Sequence, residues 1–384
     1  MKYIIVLFTL LLFSLSVSAN VENNDIVFPG KFYTTEINSC TEMNYSTFSS
    51  NADINLVESL IGYDWPADHT ANSNSRDVFH QAITEPMSKF MSATHNAIGN
   101  NNQANIKIAK NLLIDLAKAD TLYDSIGYVE VLNKPDCYAG RGDPNAPCWY
   151  HEYEWARQVF SNYMITALWL RDELNKQELK NVSTYINKMY KKFIQPTELR
   201  KERQGFYGMA NGGLSILAYA SWTNNSELAT AEINHRFNEM DRLFFEDGYI
   251  NNNSFRGVRA QWYHSYGLNN ALGYAYIAKL WGAKVPEKLQ NKLVKASELT
   301  NLAITDLKKF KSRHFNGKNT NITEDPNDAI PHTHQSAFAL DTLMKITTGV
   351  ELEYDGAYIW KRKHEIKTSF GVDQLIGFNP NCIK

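Results

Sequence analysis

Between Ser254 and Asn270, the residues Arg259, Tyr263, Tyr266 and Asn270 recur at intervals that fall on one face of a helix. A surface helix opposes charges of both signs to an apolar face. Here the polar face carries a guanidinium, two phenols and an amide, with no carboxylate, while Ala260, His264, Leu268 and Ala271 fall elsewhere. A phenol can move a proton, and a guanidinium with an amide can neutralise a carboxylate. Such a stripe suits a cleft that receives an anionic sugar. A plainer reading fits the same spacing: both tyrosines fill the core, and Arg259 pairs with a carboxylate such as Asp247.

Helical periodicity supplies the elements that must hold this stripe. Apolar residues recur at three- and four-residue spacing over Arg76 to Ile98, Gln103 to Ala119, Trp149 to Leu174 and Gln177 to Phe193. The pattern resumes over Gly213 to Trp222, Glu227 to Phe244, Ala260 to Trp281, Pro286 to Phe310 and Ala329 to Thr347. Pro286 suits a first helical turn. Alternating runs are short, at Tyr128 to Leu132 and near Tyr249-Ile250. Residues 20–50 and Lys311 to Pro326 read as irregular. Paired helices without a solenoid repeat predict an all-α fold. The architecture expected is an incomplete (α/α) toroid of antiparallel hairpins around a central cleft, as a single domain over residues 20–384.

Composition narrows the classes of function. The 39 basic and 41 acidic residues leave a formal charge of −2, which gives no electrostatic reason to expect nucleic acid as a partner. Apolar residues at 43% and charged residues at 21% exclude a disordered chain. The aromatic share is high, with 21 Tyr and 8 Trp, which suits sugar rings as well as cores. Lys2, the apolar run Ile4 to Phe13 and the small residues Val17-Ser18-Ala19 read as a signal peptide over residues 1–19. The mature chain is therefore expected to be periplasmic or secreted, without a membrane anchor, and monomeric. In that compartment Cys40, Cys137, Cys148 and Cys382 read as disulfide partners. Three pairings are open, with local closure favouring Cys137 and Cys148. No Cys-x-x-Cys, P-loop, dinucleotide, EF-hand or His-Glu-x-x-His spacing occurs, so no cofactor is implied.

The pattern Arg256-Gly257-x-Arg259-Ala260-x-x-Tyr263-His264-x-Tyr266-x-Leu268, preceded by Asp247-Gly248, resembles the signature of the alginate lyase superfamily of polysaccharide lyases. That resemblance implies an incomplete α/α toroid and cleavage of a uronic-acid polymer. It implies catalytic roles for Arg259 and Tyr266, completed by an Asn-His pair on an earlier helix. Asn211 stands at about the expected place, in Met209-Ala210-Asn211-Gly212-Gly213. Gly212 departs from the pattern, because many relatives have His there.

A lyase of this kind breaks the C4–O4 bond by β-elimination. The sugar carboxylate must be neutralised, the C5 proton removed and the departing O4 protonated. Asn211 and Arg259 are the candidates for the first task. Tyr266 is the candidate acid and, for syn elimination, also the base. A phenol with a pKa of about 10 needs a nearby cation for that, which Arg259 can supply. With Gly212 in the histidine position, His151 in Trp149-Tyr150-His151-Glu152 is the best histidine for the opposite side of the ring. Tyr263, Arg256, Tyr207, Trp262 and His264 are candidate substrate contacts. For His264 a packed role is the plainer reading, as core packing is for Tyr207 and Trp262. His332 and His334 read as loop residues, and His80, His95 and His235 as structural. Two other classes compete: a glycoside hydrolase using Asp247 with Glu152, and a non-catalytic polysaccharide-binding protein.

Overall fold

The structure, a computed structural model, describes residues 47–63, 80–123, 150–195, 206–251, 253–255, 260–310 and 340–352. For residues 80–81, 150–158, 206–213, 262, 304 and 307 it describes the backbone alone. The signal segment, all four cysteines, Tyr128 to Leu132 and residues 311–326 lie outside the described residues.

Helices make up the architecture. The short α1 (Asn51–Glu58) precedes four hairpins: α2 (Glu85–Gly99) with α3 (Gln103–Lys118), α4 (Tyr150–Leu170) with α5 (Lys176–Met189), α6 (Phe206–Thr223) with α7 (Ser226–Leu243), and α8 (Ala260–Leu280) with α9 (Glu287–Thr305). A single turn α10 (Leu307–Phe310) and a helical stretch over 340–348 follow. Among the described residues no strand forms; Phe244 and Ile250 make one isolated antiparallel bridge.

The hairpins turn on asparagine chemistry. Asn101 and Asn224 adopt left-handed φ of 50° and 53° after α2 and α6. The next residue, Asn102 or Asn225, sends its N–H back to Ala97 or Ala220 and caps the following helix through its side chain. That is a Schellman ending joined directly to an N-cap, and it reverses the chain within two or three residues.

Cross-helix bonds then fix direction. Lys110 pairs with Glu178 and Lys188 with Asp120, a constant offset of 68 residues, so α3 and α5 are parallel. Asp241 meets Lys288 and Lys292, and the Glu246 carbonyl meets Lys295, so α7 and α9 are parallel too. Asn187 bonds Tyr219 and Ser183 bonds Trp222, which makes α5 and α6 antiparallel. It follows that α2, α4, α6 and α8 all run one way and their partners the other. The first set packs in sequence, α2 on α4, α4 on α6 and α6 on α8. This is an inner and an outer layer of helices, the arrangement of an (α/α) toroid.

Residue chemistry explains which helix is inner. Phe206 to Thr223 contains no charged residue, and Ala260 to Leu280 contains only Lys279. The outer helices α3, α5, α7 and α9 each carry at least four charges. Burying an unpaired charge costs more than apolar burial returns, so charge-poor helices occupy the interior. One outer pair does face inward: Glu232 and Arg236 are fully buried and bonded to each other.

Several expectations from the sequence shift. The helix expected from Gly213 begins at Phe206. The pattern expected to run to Phe310 breaks at Asp306. Pro286 caps α9 from just before its first residue. Helix α1 was not foreseen; its signal is the capping box of Ser50 with Asp53.

Candidate functional site

The stripe on α8 is held in place by the connection that precedes it. Gly248 has φ +89°, and a Cβ there would meet the Lys295 carbonyl carbon at 2.5 Å. The Asp247-Gly248 pair therefore lets this turn press against the α9 backbone. Beyond it, the Ile250 N–H donates to Ser254 Oγ at 2.7 Å, and Ser254 Oγ lies 2.8 Å from His264 Nδ1. His264 Nε2 lies 2.9 Å from the Ala296 carbonyl. A carbonyl can only accept, so Nε2 carries the proton and Nδ1 accepts from the serine. Burial lowers the His264 pKa to about 4 and keeps it neutral. Asn253 Nδ2 donates to the Tyr263 carbonyl, Gln261 Nε2 to the Ala303 carbonyl and Tyr249 OH to the Phe310 carbonyl. These anchors fix the start of α8 against α9 and α10.

With α8 so fixed, the stripe separates by exposure. Ala260, His264, Leu268 and Ala271 are fully buried. Of the described side chains from Ala260 to Ala275, only Tyr263 and Tyr266 reach solvent. Neither is a fully buried core residue; Tyr266 packs its inner edge on the core. One turn further, Asn270 is buried and donates to the Tyr266 carbonyl at 2.8 Å, while its Oδ1 has no hydrogen-bond partner among the described residues.

The other candidates lie on neighbouring inner helices. Tyr207 and Asn211 are the second and sixth residues of α6, and His151 is the second residue of α4. Tyr263 and Tyr266 are the fourth and seventh of α8. All five Cα positions fall within about 9 Å of a helix start at 1.5 Å per residue. Because the inner helices are parallel, these starts share one rim of the toroid. Helices α6 and α8 have no carboxylate of their own in their first three turns, and a helix start of that kind favours an anion.

His264 takes the packed role, with both ring nitrogens engaged inside the fold and none left for a ligand. The side chains of Tyr207, Asn211, His151 and Trp262 are not among those described, and Arg256 and Arg259 lie outside the described residues, as do His332 and His334. Asp247 is exposed on the turn ahead of α8. His95 is buried against Trp169, with its pKa lowered to about 3 by burial, which fits a structural role. Burial raises the pKa values of Tyr163, Tyr185 and Tyr274, which removes them as proton donors near neutrality. Asn270 lies in the stripe, and its position there is the sequence signal for it. Ser254, Asn253 and Gln261 had no local signal, because their partners lie 10 to 42 residues away. Among the described residues no cluster of three or more His, Cys, Asp or Glu is arranged to hold a metal ion, and no helix is long and apolar enough to cross a membrane.

No family model matches the chain, and no curated protein matches it in sequence. Among solved structures, alginate lyase A1-III from Sphingomonas species A1 is similar over 94% of this chain and 92% of its own, at 11% identity and a TM-score of 0.42. A histidine-to-alanine variant of alginate lyase A1-III, in its apo form, is similar over 84% of this chain and 81% of its own, at 13% identity and a TM-score of 0.40.

Proposed function

We propose that this chain is an exported polysaccharide lyase that cuts a uronic-acid polymer by β-elimination. The polymer is polymannuronate-type alginate or a glucuronan-like chain. The observation that carries this reading is the opening of an otherwise buried inner helix at Tyr263 and Tyr266 alone among its described side chains up to Ala275. A phenol there is accessible to substrate yet held by a rigid element.

In this reading Asn211 and Arg259 hold the uronate carboxylate and stabilise the charge that builds on it as C5–H is broken. Tyr266 removes the C5 proton in the syn case and returns a proton to O4 as the C4–O4 bond breaks. The electron pair of C5–H becomes the C4–C5 double bond. In the anti case His151 takes the C5 proton from the other side of the ring, and Tyr266 serves as the acid alone. Tyr263, Arg256, Tyr207 and Trp262 contact the flanking sugars. The positive ends of α6 and α8 add a field that favours the polyanion.

The test is a panel of polymannuronate, polyguluronate and glucuronan, followed by near-ultraviolet absorbance. A lyase leaves a conjugated C4–C5 double bond at each new end. New reducing ends without absorbance identify a hydrolase, and binding without new ends identifies a non-catalytic protein.

A further inference from the structure

The outer layer is electrically lopsided. Helices α3 and α5, with the π-helical turn Tyr190–Ile194 that extends α5, carry eight lysines against the two carboxylates Asp115 and Glu178; Asp120 just beyond α3 takes Lys188, and Asp172 and Glu173 lie in the turn ahead of α5. The equivalent outer pair α7 and α9 carries five cations against six carboxylates, and the whole chain is at −2. The excess therefore belongs to one face.

Register concentrates it. The pairs Lys110–Glu178 and Lys188–Asp120 align α3 and α5 side by side. The same offset of 68 sets Lys107 beside the start of α5, where Lys176 and Lys180 stand one turn apart on a common face. Lys191 lies 11 residues beyond Lys180, about 16 Å along the helix. Lys107, Lys176, Lys180 and Lys191 are all exposed, and none has a carboxylate partner among the described residues. At the far end Lys188 and Lys192 lie over the ring of Tyr123, at 5.5 and 4.1 Å from its centroid. By contrast, Lys288 and Lys292 on the other outer pair are matched by Asp241 and Glu246.

We propose that the α3–α5 face is a docking surface for an anionic polysaccharide, separate from the cleft, which Lys107, Lys176, Lys180 and Lys191 bind through the carboxylates of successive sugars. The choice of a polyuronate as the occupant rests on the lyase reading; the preference for an extended polyanion rests on the charge alone. Unmatched lysines spread over about 22 Å, from Lys176 to Lys191, suit a regularly charged chain better than a single small anion. The surface would hold a long polymer to the enzyme while the cleft works on another part of it.

The variant Lys107→Glu/Lys176→Glu/Lys180→Glu/Lys191→Glu tests this, with Lys308→Glu/Lys309→Glu as a charge control elsewhere. A four-lysine Gln set and a thermal melt guard against loss of fold. Binding is measured on immobilised polymannuronate in a Tyr266→Phe background, and kinetics on polymer and on a tetrauronate in the otherwise native chain. We expect polymer affinity to fall and polymer KM to rise about tenfold at low salt, with the difference vanishing near 1 M salt. Tetramer kinetics and polymer kcat stay unchanged. Unaltered polymer affinity and KM in the four-lysine variant would overturn the proposal. So would lysine-dependent capture of anionic vesicles or duplex DNA without capture of the polymer. If no polymer is cleaved yet the lysine-dependent binding persists, the lyase reading fails and the docking surface stands.

Discussion

Replacing His264 by Leu gives a stability change whose pH dependence follows from the structure. In the native chain the ring accepts from Ser254 and donates to the Ala296 carbonyl, both inside the fold. Ala296 O also accepts from Thr300 Oγ1, so the main orphan left by Leu is the Ser254 hydroxyl proton. Such an orphan costs about 1–3 kcal/mol near neutral pH. Burial lowers the folded pKa of His264 to about 4, against about 6.5 for an ordinary histidine. Above pH 6.5 neither state is protonated and the hydrogen bonds contribute in full. Below it the unfolded chain binds a proton that the folded chain refuses, so stability falls by about 1.4 kcal/mol per pH unit and flattens near pH 4. The total is about 3 kcal/mol, comparable to what the substitution removes. Urea unfolding at pH 7.5, 6.5, 5.5 and 4.5 should therefore show the variant clearly weaker at pH 7.5 and close to native at pH 4.5. Its slope against pH should be smaller by one proton, with His95 still contributing another. A difference that stays constant from pH 7.5 to 4.5 would refute the buried, neutral histidine.

Gly248→Ala forces a side chain into a left-handed turn with backbone at 2.5 to 2.7 Å; a loss above about 2 kcal/mol is expected in thermal or urea unfolding, and a neutral result would contradict the contact with Lys295 and Ala296. Arg236→Met removes the buried cation bonded to Glu232, which should cost about 3–5 kcal/mol in urea unfolding; adding Glu232→Leu should restore most of that, and a double variant as weak as the single one would count against the pair. Asn225→Ala removes the cap on Leu228 N–H and should cost about 1 kcal/mol, read as a shift of the melting midpoint.

Helices such as α5 and α7 were legible because their outer faces are charged and their inner faces apolar, which makes the period visible. The start of α6 was not. Phe206 to Gly213 holds three glycines and, apart from Asn211, no strongly polar side chain, so it shows no stripe and a low intrinsic preference for helix. The whole helix lies between α4 and α8, and that information is outside the segment. The α8 stripe was legible for the opposite reason: Tyr263, Tyr266 and Asn270 recur on one face without a carboxylate, while Ala260, His264, Leu268 and Ala271 fall elsewhere. The anchoring of His264 could not be read locally, since Ala296 and Phe310 are 32 and 46 residues distant. The resemblance around Asp247-Gly248 has a structural reason in the turn that only glycine fits.

The most direct measurement is the near-ultraviolet absorbance of unsaturated uronate during incubation with polymannuronate and glucuronan, for the native chain and for Tyr266→Phe. A steady rise with the native chain on at least one polymer is expected, together with a loss of at least about 100-fold on removing the phenol, the size of a general acid–base contribution. Full activity in Tyr266→Phe, or growth of reducing ends with no absorbance, would contradict the account.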